Sequence, residues 1–205
     1  MDFQRRYVLG LPQLDPVLDS LVEAFTSVYE LWDIPFANFM MTSALEFITA
    51  SCFETSITAF TAVNRPGRFP WFLRSRTSAC IAYSAMIFPK SGNHDFSAFL
   101  RAAPDMEYFS AATNDLLSHV FLPLCGDESL INDFLRFHKE YLVNESNNYI
   151  HHRAHAEGKS LLQILSDIKR EIIIASENAI DVLTRFGNEA SVKAWQELEF
   201  GLVCV

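Results

Sequence analysis

Glycine and proline are scarce in this chain, which has seven Gly and eight Pro among its 205 residues. A fold of many short strands needs both residues at its turns, so their scarcity favours long helices over a many-turned β fold. Long apolar runs are also lacking, because Glu46, Glu54 and several arginines interrupt the most hydrophobic segments. The sequence therefore predicts neither a membrane span nor an N-terminal signal peptide.

Positive charge is in deficit as well. The chain has 16 Lys and Arg residues against 25 Asp and Glu residues, which gives a formal net charge of −9. Proteins that bind nucleic acids usually present a basic face, so this class is not predicted. The acidic balance does not exclude an anionic small substrate, because bound metal ions can invert the local field.

Closely spaced cysteine pairs are missing too. The wide separation of the cysteines and the absence of a CxxC pair favour a reduced, cytoplasmic protein over a disulfide framework; the four are Cys52, Cys80, Cys125 and Cys204. The Ser78-Ala79-Cys80 segment resembles a nucleophile only superficially. With no partner histidine in a recognisable pattern, we expect Cys80 to be a buried structural cysteine.

Hydrophobic residues make up 50% of the chain and 18 of them are Phe, which suits one domain with a sizeable core over residues 1–205. Apolar residues at helical spacing predict an all-α fold. Residues 36–62 are apolar on nearly every face, which is typical of a buried central helix. The predicted helices are residues 15–33, 36–62, 71–88, 95–103, 105–118, 129–143, 159–186 and 188–200, with loops at 64–70 and 144–149 and an ambiguous segment at 151–158.

A divided pattern of oxygen ligands is the most informative feature of the sequence. Asn114-Asp115-Leu116-Leu117-Ser118 opens the pattern, 18 residues (119–136) follow, and Phe137-His138-Lys139-Glu140 then provides its ending. Asn, Ser and Glu at positions i, i+4 and i+8 form one stripe on a helix. Three oxygen ligands at that spacing can hold a hard divalent cation, typically Mg2+.

Two other patterns are weaker candidates for a metal site. Asn132, Arg136 and Glu140 repeat the spacing without interruption, but a permanently charged Arg in the middle position would repel Mg2+, so a coincidence is favoured. His151 and His155 share a helical face and His152 lies beside them, but no Glu completes a HExxH motif. We expect these histidines to lie in a solvated turn.

Without residues 119–136 the chain would read Asn-Asp-Leu-Leu-Ser-Phe-His-Lys-Glu, which is the NDxxSxxKE motif of class I terpene synthases. From roughly Asp15 to Phe200 the chain resembles the fungal sesquiterpene cyclases related to trichodiene synthase. The supporting segments are Phe72-Leu73-Arg74, Phe88-Pro89-Lys90, Pro104-Asp105 and Asn147-Asn148-Tyr149-Ile150-His151. The resemblance implies a class I terpenoid synthase helical bundle, here partial, around an apolar pocket.

The resemblance also implies an activity and a set of site residues. Enzymes of this family use three Mg2+ ions to ionise a prenyl diphosphate, commonly farnesyl diphosphate, and the carbocation then cyclises against aromatic walls. Such an enzyme is a carbon–oxygen lyase, and a homodimer is left open. By position, the metal ligands would be Asn114, Ser118 and Glu140. The diphosphate would be contacted by Lys139, by Arg74 as the diphosphate-sensing arginine, and by Arg153. The candidate pocket walls would be Phe36, Phe39, Phe47 and Phe53.

Three departures from the family pattern bear on activity. No adjacent acidic pair precedes Asn114, the Arg-Tyr pair expected near the C-terminus is missing, and residues 119–136 interrupt the metal motif. We therefore expect a terpene synthase sequence truncated at both ends, with an insertion that an in-frame retained intron would produce. Two functions stay open: a Mg2+-dependent sesquiterpene synthase, impaired in this chain, and an inactive all-α pseudoenzyme or helical interaction protein.

Overall fold

The computed structural model describes residues 2–56, 68–120 and 149–203 of the chain. Within these ranges the regular structure is entirely helical, and the predicted all-α class is confirmed. A single 3-10 turn, Lys90–Gly92, lies between the fifth and sixth α-helices. The α-helices are α1 (Phe3–Val8), α2 (Pro16–Leu31), α3 (Ile34–Ser56), α4 (Phe69–Thr77), α5 (Cys80–Met86), α6 (Phe96–Val120), α7 (Tyr149–Glu157), α8 (Leu161–Phe186) and α9 (Glu189–Val203).

The two long helices α6 and α8 form the most extensive helix pair of the described fold. α8 turns one apolar stripe inward, with residues that recur at three- and four-residue intervals: Ile164, Ile168, Ile172, Ala175, Ala179 and Leu183. On α6 the small residues Ala98, Ala102 and Ala112 pack in the same core and allow close approach of the two backbones. The larger Met106 packs there as well. Such a stripe buries one helix face and leaves the other for solvent.

An aromatic cluster fills one end of this core. The ring of Phe99 on α6 lies 5.2 Å from that of Phe36, 5.3 Å from Phe39 and 5.5 Å from Phe88, between ring centroids. Phe36 and Phe99 are almost completely buried. Phe36, which the family resemblance implied as a pocket wall, therefore packs in the core at this end of the bundle.

Local sequence signals explain both ends of α8. The Ser160 hydroxyl accepts a hydrogen bond from the Gln163 N–H at 3.3 Å, and the Gln163 side chain accepts one from the Ser160 N–H at 2.9 Å. This capping box satisfies two backbone donors that the first turn leaves without partners. At the other end the Gly187 N–H donates to the Leu183 carbonyl at 2.9 Å. The predicted helix at 159–186 is confirmed.

The single helix predicted at 71–88 is wrong, because the chain breaks between α4 and α5. Ala79 adopts the left-handed conformation, with φ 51° and ψ 13°. No Gly or Pro marks this position, and alanine ordinarily favours a helix. The buried residues of α5 (Cys80, Ala82, Ser84 and Ala85) determine its direction, so tertiary packing overrides the local preference.

The two helices predicted at 95–103 and 105–118 are in fact one, α6, with Pro104 inside it. A proline within a helix removes one hydrogen bond, here the one that would end on the Leu100 carbonyl. Both Leu100 and Pro104 lie on the exposed face of α6, so water can hydrogen-bond to that carbonyl. The helix continues because its opposite face is buried against α8.

The remaining predictions differ in detail. α1 was not predicted, and the ambiguous segment at 151–158 is helical as α7. The predicted loop at 64–70 ends early because α4 begins at Phe69, and most of this loop, like the predicted helix at 129–143, lies outside the described residues. α3 exposes a polar stripe of Asn38, Thr42 and Glu46, so it is not buried all round. None of the described helices combines the length and the apolar character that crossing a membrane requires.

Replacing Phe99 with alanine tests the aromatic cluster. We expect Phe99→Ala to lower the free energy of unfolding by about 3–4 kcal/mol, because a large buried ring is lost and its neighbours cannot fill the space. The measurement is chemical denaturation followed by circular dichroism at 222 nm. The control is Phe200→Ala, since Phe200 is 69% exposed. Equal losses in both variants would contradict this core assignment.

Candidate functional site

Arg74 joins α4 to the polar side of α6. Its Nε donates to the Asp115 carboxylate at 2.7 Å, and its Nη2 donates to the Ala111 carbonyl at 3.2 Å. Both charged side chains are 18% exposed. An ion pair of this kind is strong enough to fix a side chain, because little water competes with it. The pair holds the guanidinium against α6 at Ala111 and Asp115, and Asn114 precedes Asp115 in sequence.

The predicted metal ligands are only partly described. Asn114 is exposed on α6, and Ser118 lies one turn further along the same helix. Glu140, the third predicted ligand, and Lys139, the predicted diphosphate contact, lie outside the described residues. The described part of the chain contains no group of three His, Cys, Asp or Glu side chains able to hold a metal ion. The structure therefore brings Arg74 to Ala111 and Asp115 on the helix that carries Asn114, and the ligand assignments of Asn114, Ser118 and Glu140 stay predictions.

Glu107 lies on α6, one turn before Ala111, and the charged groups that act on it are Arg76 and Glu46. Burial raises the pKa of this carboxyl to about 7, while nearby Arg76 lowers it and Glu46 raises it further. Close by, burial raises the pKa of the Cys80 thiol, whose residue is 1% exposed. The expectation of a buried structural Cys80 is confirmed, because a buried neutral thiol is a poor nucleophile.

A second polar network surrounds Arg153 on α7. Its Nη1 and Nη2 donate to the two carboxylate oxygens of Glu171 on α8, at 2.7 Å each, and its Nε donates to Glu157 at 2.6 Å. Its Nη1 also lies 3.2 Å from the Tyr108 hydroxyl and 3.4 Å from the Tyr149 hydroxyl. We call these five residues the Arg153 clamp. The sequence resemblance implied a diphosphate contact for Arg153, but its guanidinium is occupied by protein groups.

The groups inside the Arg153 clamp stabilise one another's protonation states. Burial by itself would raise the pKa of Glu171, but hydrogen bonds from Arg153 and Tyr108 outweigh it and lower the pKa below its usual value. Burial, with a smaller contribution from the neighbouring Tyr149, raises the pKa of the Tyr108 phenol. Glu171 is therefore a carboxylate and Tyr108 a neutral donor to it at neutral pH.

Trp71 connects the clamp to the Arg74 ion pair. Its ring centroid lies 4.8 Å from that of Tyr108 and 6.0 Å from that of Tyr149. Along α4 Trp71 precedes Arg74 by three residues, and along α6 Tyr108 precedes Ala111 by three residues. α4 and α6 therefore run in the same direction at this contact, with aromatic rings at one end and the ion pair at the other.

The three histidines of α7 lie on a helix, and the predicted turn is wrong. His155 is exposed, while His151 and His152 are half-buried. Burial lowers the pKa of His152, and the neighbouring His151 and His155 lower it further. Mutual repulsion of this kind disfavours a charged cluster, and the spacing places no acidic side chain between the histidines.

Sequence reasoning missed Trp71, Tyr108 and Glu171. Each looks like an ordinary amphipathic helix residue, and their partners lie from 18 residues (Arg153 and Glu171) to 78 residues (Trp71 and Tyr149) away in the chain. The one available signal was Arg153 with acidic residues on its own helix and on the next one, because an arginine on a packed helix usually requires a partner carboxylate.

Comparison with known proteins reveals several relatives. Terpene synthase BipA of Cochliobolus sativus is 26% identical over 203 residues, which cover 98% of the chain and 57% of the relative. Monoterpene synthase 25 of Postia placenta is 30% identical over 186 residues, covering 89% of the chain and 50% of the relative. Longiborneol synthase CLM1 of Gibberella zeae is 28% identical over 202 residues, covering 95% and 52% respectively. No family model matches the chain.

These alignments have one consistent property. Each covers nearly all of the chain, yet the chain spans about half the length of the curated relatives it matches. Both the Arg74 region and the Asn114 region lie inside the aligned part of a match that covers 98% of the chain. The similarity therefore extends over the whole described fold and is not confined to one motif.

The raised pKa of Glu107 predicts a pH-dependent stability. The folded chain keeps this carboxyl protonated while the unfolded chain loses the proton above about pH 4.5, so stability should fall as the pH rises from about 4.5 to about 7. We expect Glu107→Gln to remove this decline and to raise the free energy of unfolding at pH 8 by about 2 kcal/mol, after allowance for partial solvent screening.

Urea denaturation of both proteins between pH 4 and pH 8 provides the measurement. The matched control is Glu197→Gln, because the Glu197 side chain is 68% exposed on α9 and should change the pH profile little. If Glu107→Gln keeps the slope of the unsubstituted chain, Glu107 is not the titrating group.

Proposed function

Because the chain belongs to the terpene synthase family, we propose that it binds a prenyl diphosphate, with farnesyl diphosphate the first candidate, together with Mg2+. By descent the activity is that of a sesquiterpene synthase, which ionises and cyclises this substrate. In the chain as written we propose that turnover is impaired. The observation that supports the binding function best is the Arg74 guanidinium held against Ala111 and Asp115 of α6, the helix that carries Asn114.

The proposed metal donors on α6 suit a hard cation. Asn114 offers an exposed amide oxygen, and Ser118 follows one turn later on α6. Such oxygen donors match Mg2+, which also keeps water or substrate phosphate oxygens in its coordination shell. The residues present fit the ion in chemistry, and Glu140 is the proposed third donor.

Each group has a defined task in this proposal. Bound Mg2+ would stabilise the negative charge that develops on the departing diphosphate. Arg74 would add a directed positive charge, and its guanidinium geometry suits phosphate oxygens. Lys139 is a further proposed diphosphate contact.

The inserted segment is the physical reason for the proposed impairment. The motif needs Glu140 one helical turn after Ser118, but the sequence predicts separate helices at 105–118 and 129–143, so the 18 residues 119–136 remove Glu140 from that turn. Mg–O distances are about 2 Å, and local helix geometry does not bring a donor on the next helix that close to the ion. Asn114 and Ser118 thus form an incomplete ligand set unless the chain returns Glu140 to them.

A second function is a pseudoenzyme or helical interaction protein. The specific observation in its favour is that Arg74 is already neutralised by Asp115 at 2.7 Å. An arginine with an internal carboxylate partner stabilises the bundle without any ligand. Under this alternative neither Mg2+ nor diphosphate binds at α6.

Deleting residues 119–136 tests the effect of the insertion. The deletion places Glu140 four residues after Ser118 and so restores the i, i+4, i+8 ligand stripe. We expect Mg2+-dependent binding of inorganic diphosphate to tighten at least tenfold relative to the intact chain, because a third oxygen donor joins the site. Isothermal titration calorimetry with and without Mg2+ measures this change.

The matched control is the same deletion combined with Glu140→Gln, which keeps the length and removes the charged ligand. Both proteins are also incubated with farnesyl diphosphate and Mg2+, and volatile products are analysed. A cyclic product from the intact chain would contradict the proposed impairment. Equal diphosphate affinity in the intact, deleted and Glu140→Gln proteins would contradict the ligand assignment.

Arg74→Ala tests the anion contact directly. We expect diphosphate affinity to fall by roughly tenfold, because a charge-assisted hydrogen bond to phosphate is lost. The control is Arg76→Ala on the same helix, since the Arg76 guanidinium lies 4.4 Å from the centroid of the Phe72 ring. Equal losses in the two variants would indicate a general effect of positive charge and not a specific site.

A further inference from the structure

We propose that Arg153 is a positioning residue for Arg74, acting through the two tyrosines of the Arg153 clamp and the Trp71 ring between them and α4. This inference rests on the proposed role of Arg74 in binding diphosphate. It assigns Arg153 a role through protein contacts instead of the direct substrate contact that its sequence position implied.

Every nitrogen of the Arg153 guanidinium is hydrogen-bonded to a protein group. The bidentate contact with Glu171 uses both terminal nitrogens at 2.7 Å, and Nε is used by Glu157 at 2.6 Å. The two tyrosine hydroxyls lie within 3.4 Å of Nη1. The side chain is also only 13% exposed. An anion would have to displace carboxylates from this group, which is costly for a buried pair.

The Arg153 clamp fixes two aromatic rings from different helices, Tyr108 on α6 and Tyr149 on α7. The Tyr108 hydroxyl contacts both Glu171 and Arg153, and the Tyr149 hydroxyl contacts Arg153. Hydrogen bonds at the ring tips restrict the rotamers of both tyrosines. α6, α7 and α8 are thereby tied together at one point.

Contacts of the two tyrosines with Trp71 extend this ordering to α4. The Trp71 ring contacts Tyr108 and Tyr149, with centroid distances of 4.8 Å and 6.0 Å. Arg74 follows one turn later and makes its contacts with Ala111 and Asp115. α4 has nine residues, so an anchor at Trp71 sets the direction of the whole helix. Arg74 then projects from a helix that is already aligned with α6.

A preset arginine binds an anion more tightly than a mobile one, because less side-chain and backbone freedom is lost on binding. Loosening the clamp should therefore weaken diphosphate binding even though Arg74 itself is unchanged. The effect should disappear once Arg74 is absent, because the clamp has no other route to the ligand.

The first experiment needs no ligand. Amide hydrogen exchange is compared by mass spectrometry for the intact chain, Arg153→Lys and the matched control Arg185→Lys, whose Arg pairs with Asp181 on the surface of α8. We expect Arg153→Lys to speed exchange in α4 (Phe69–Thr77) roughly tenfold, with little change in α2. A lysine keeps the charge but cannot form the fork to Glu171.

A uniform rise of exchange over all helices would overturn the inference, because it would show only a loss of global stability. Unchanged exchange in α4 would overturn it as well. Tyr149→Phe provides a second, milder variant, since it removes one hydroxyl and keeps the ring against Trp71. We expect it to speed exchange in α4 by a smaller factor.

The second experiment is a double-mutant cycle on the binding of inorganic diphosphate with Mg2+. Arg153→Lys should weaken binding severalfold in the presence of Arg74 and have no further effect in the Arg74→Ala background. Additive losses would overturn the inference and indicate that Arg153 contacts the ligand itself. If the intact chain binds no diphosphate, the proposed function fails, and the exchange of α4 alone decides whether the clamp positions that helix.

Discussion

The seam between α6 and α8 is the contact on which the rest of the described structure depends. α6 buries Ala98, Ala102 and Met106 completely against this seam, and α8 does the same with Ile164 and Ile168. Such close contact between backbones leaves α6 a fixed support for whatever projects from its other side. Asn114 and Asp115 project from α6 outside its buried stripe, so the placement of the candidate site derives from the apolar packing of that stripe.

The Arg74–Asp115 pair has two consequences that act in opposite directions. It orders the Arg74 guanidinium on α6 without any ligand, which reduces the ordering that binding would require. It also means that an incoming anion must share Arg74 with a carboxylate at 2.7 Å. The net gain is therefore the difference between two charge-assisted interactions. Anchoring α4 through Trp71 favours the ligand, because a helix held from another point does not depend on Asp115 for its alignment.

The sequence predicted the helical class and much of the layout, because apolar spacing and capping residues act locally. α8 is the clearest case, with Ser160 and Gln163 at its start and Gly187 at its end. The break at Ala79 could not be predicted, since an alanine in the left-handed region depends on tertiary packing. The continuation of α6 through Pro104 depends equally on burial of the opposite face.

The candidate site likewise has one part that the sequence predicted and one part that it did not. Arg74 and Asn114 were predicted from sequence because they belong to motifs with fixed local spacing. The Arg153 clamp was not found, because Glu171 lies 18 residues beyond Arg153 and Tyr108 lies 45 residues before it. Contacts of that kind leave no periodic pattern. The same limit explains why Arg153 was assigned to the substrate on the basis of its position alone.

The proposed insertion begins after the described packing residues of α6. Among the residues of this helix whose burial is described, the last buried one is Thr113, whereas Asn114 is exposed and Asp115 and Leu116 are half-buried. The α6 residues named above as packing in the core with α8 all precede residue 119, where the proposed insertion begins. An interruption at that place would leave these contacts intact and would separate Ser118 from Glu140, the proposed ligands. Such a chain would keep its helical bundle while the proposed ligand set is divided, because stability and metal binding would depend on different turns of the same helix.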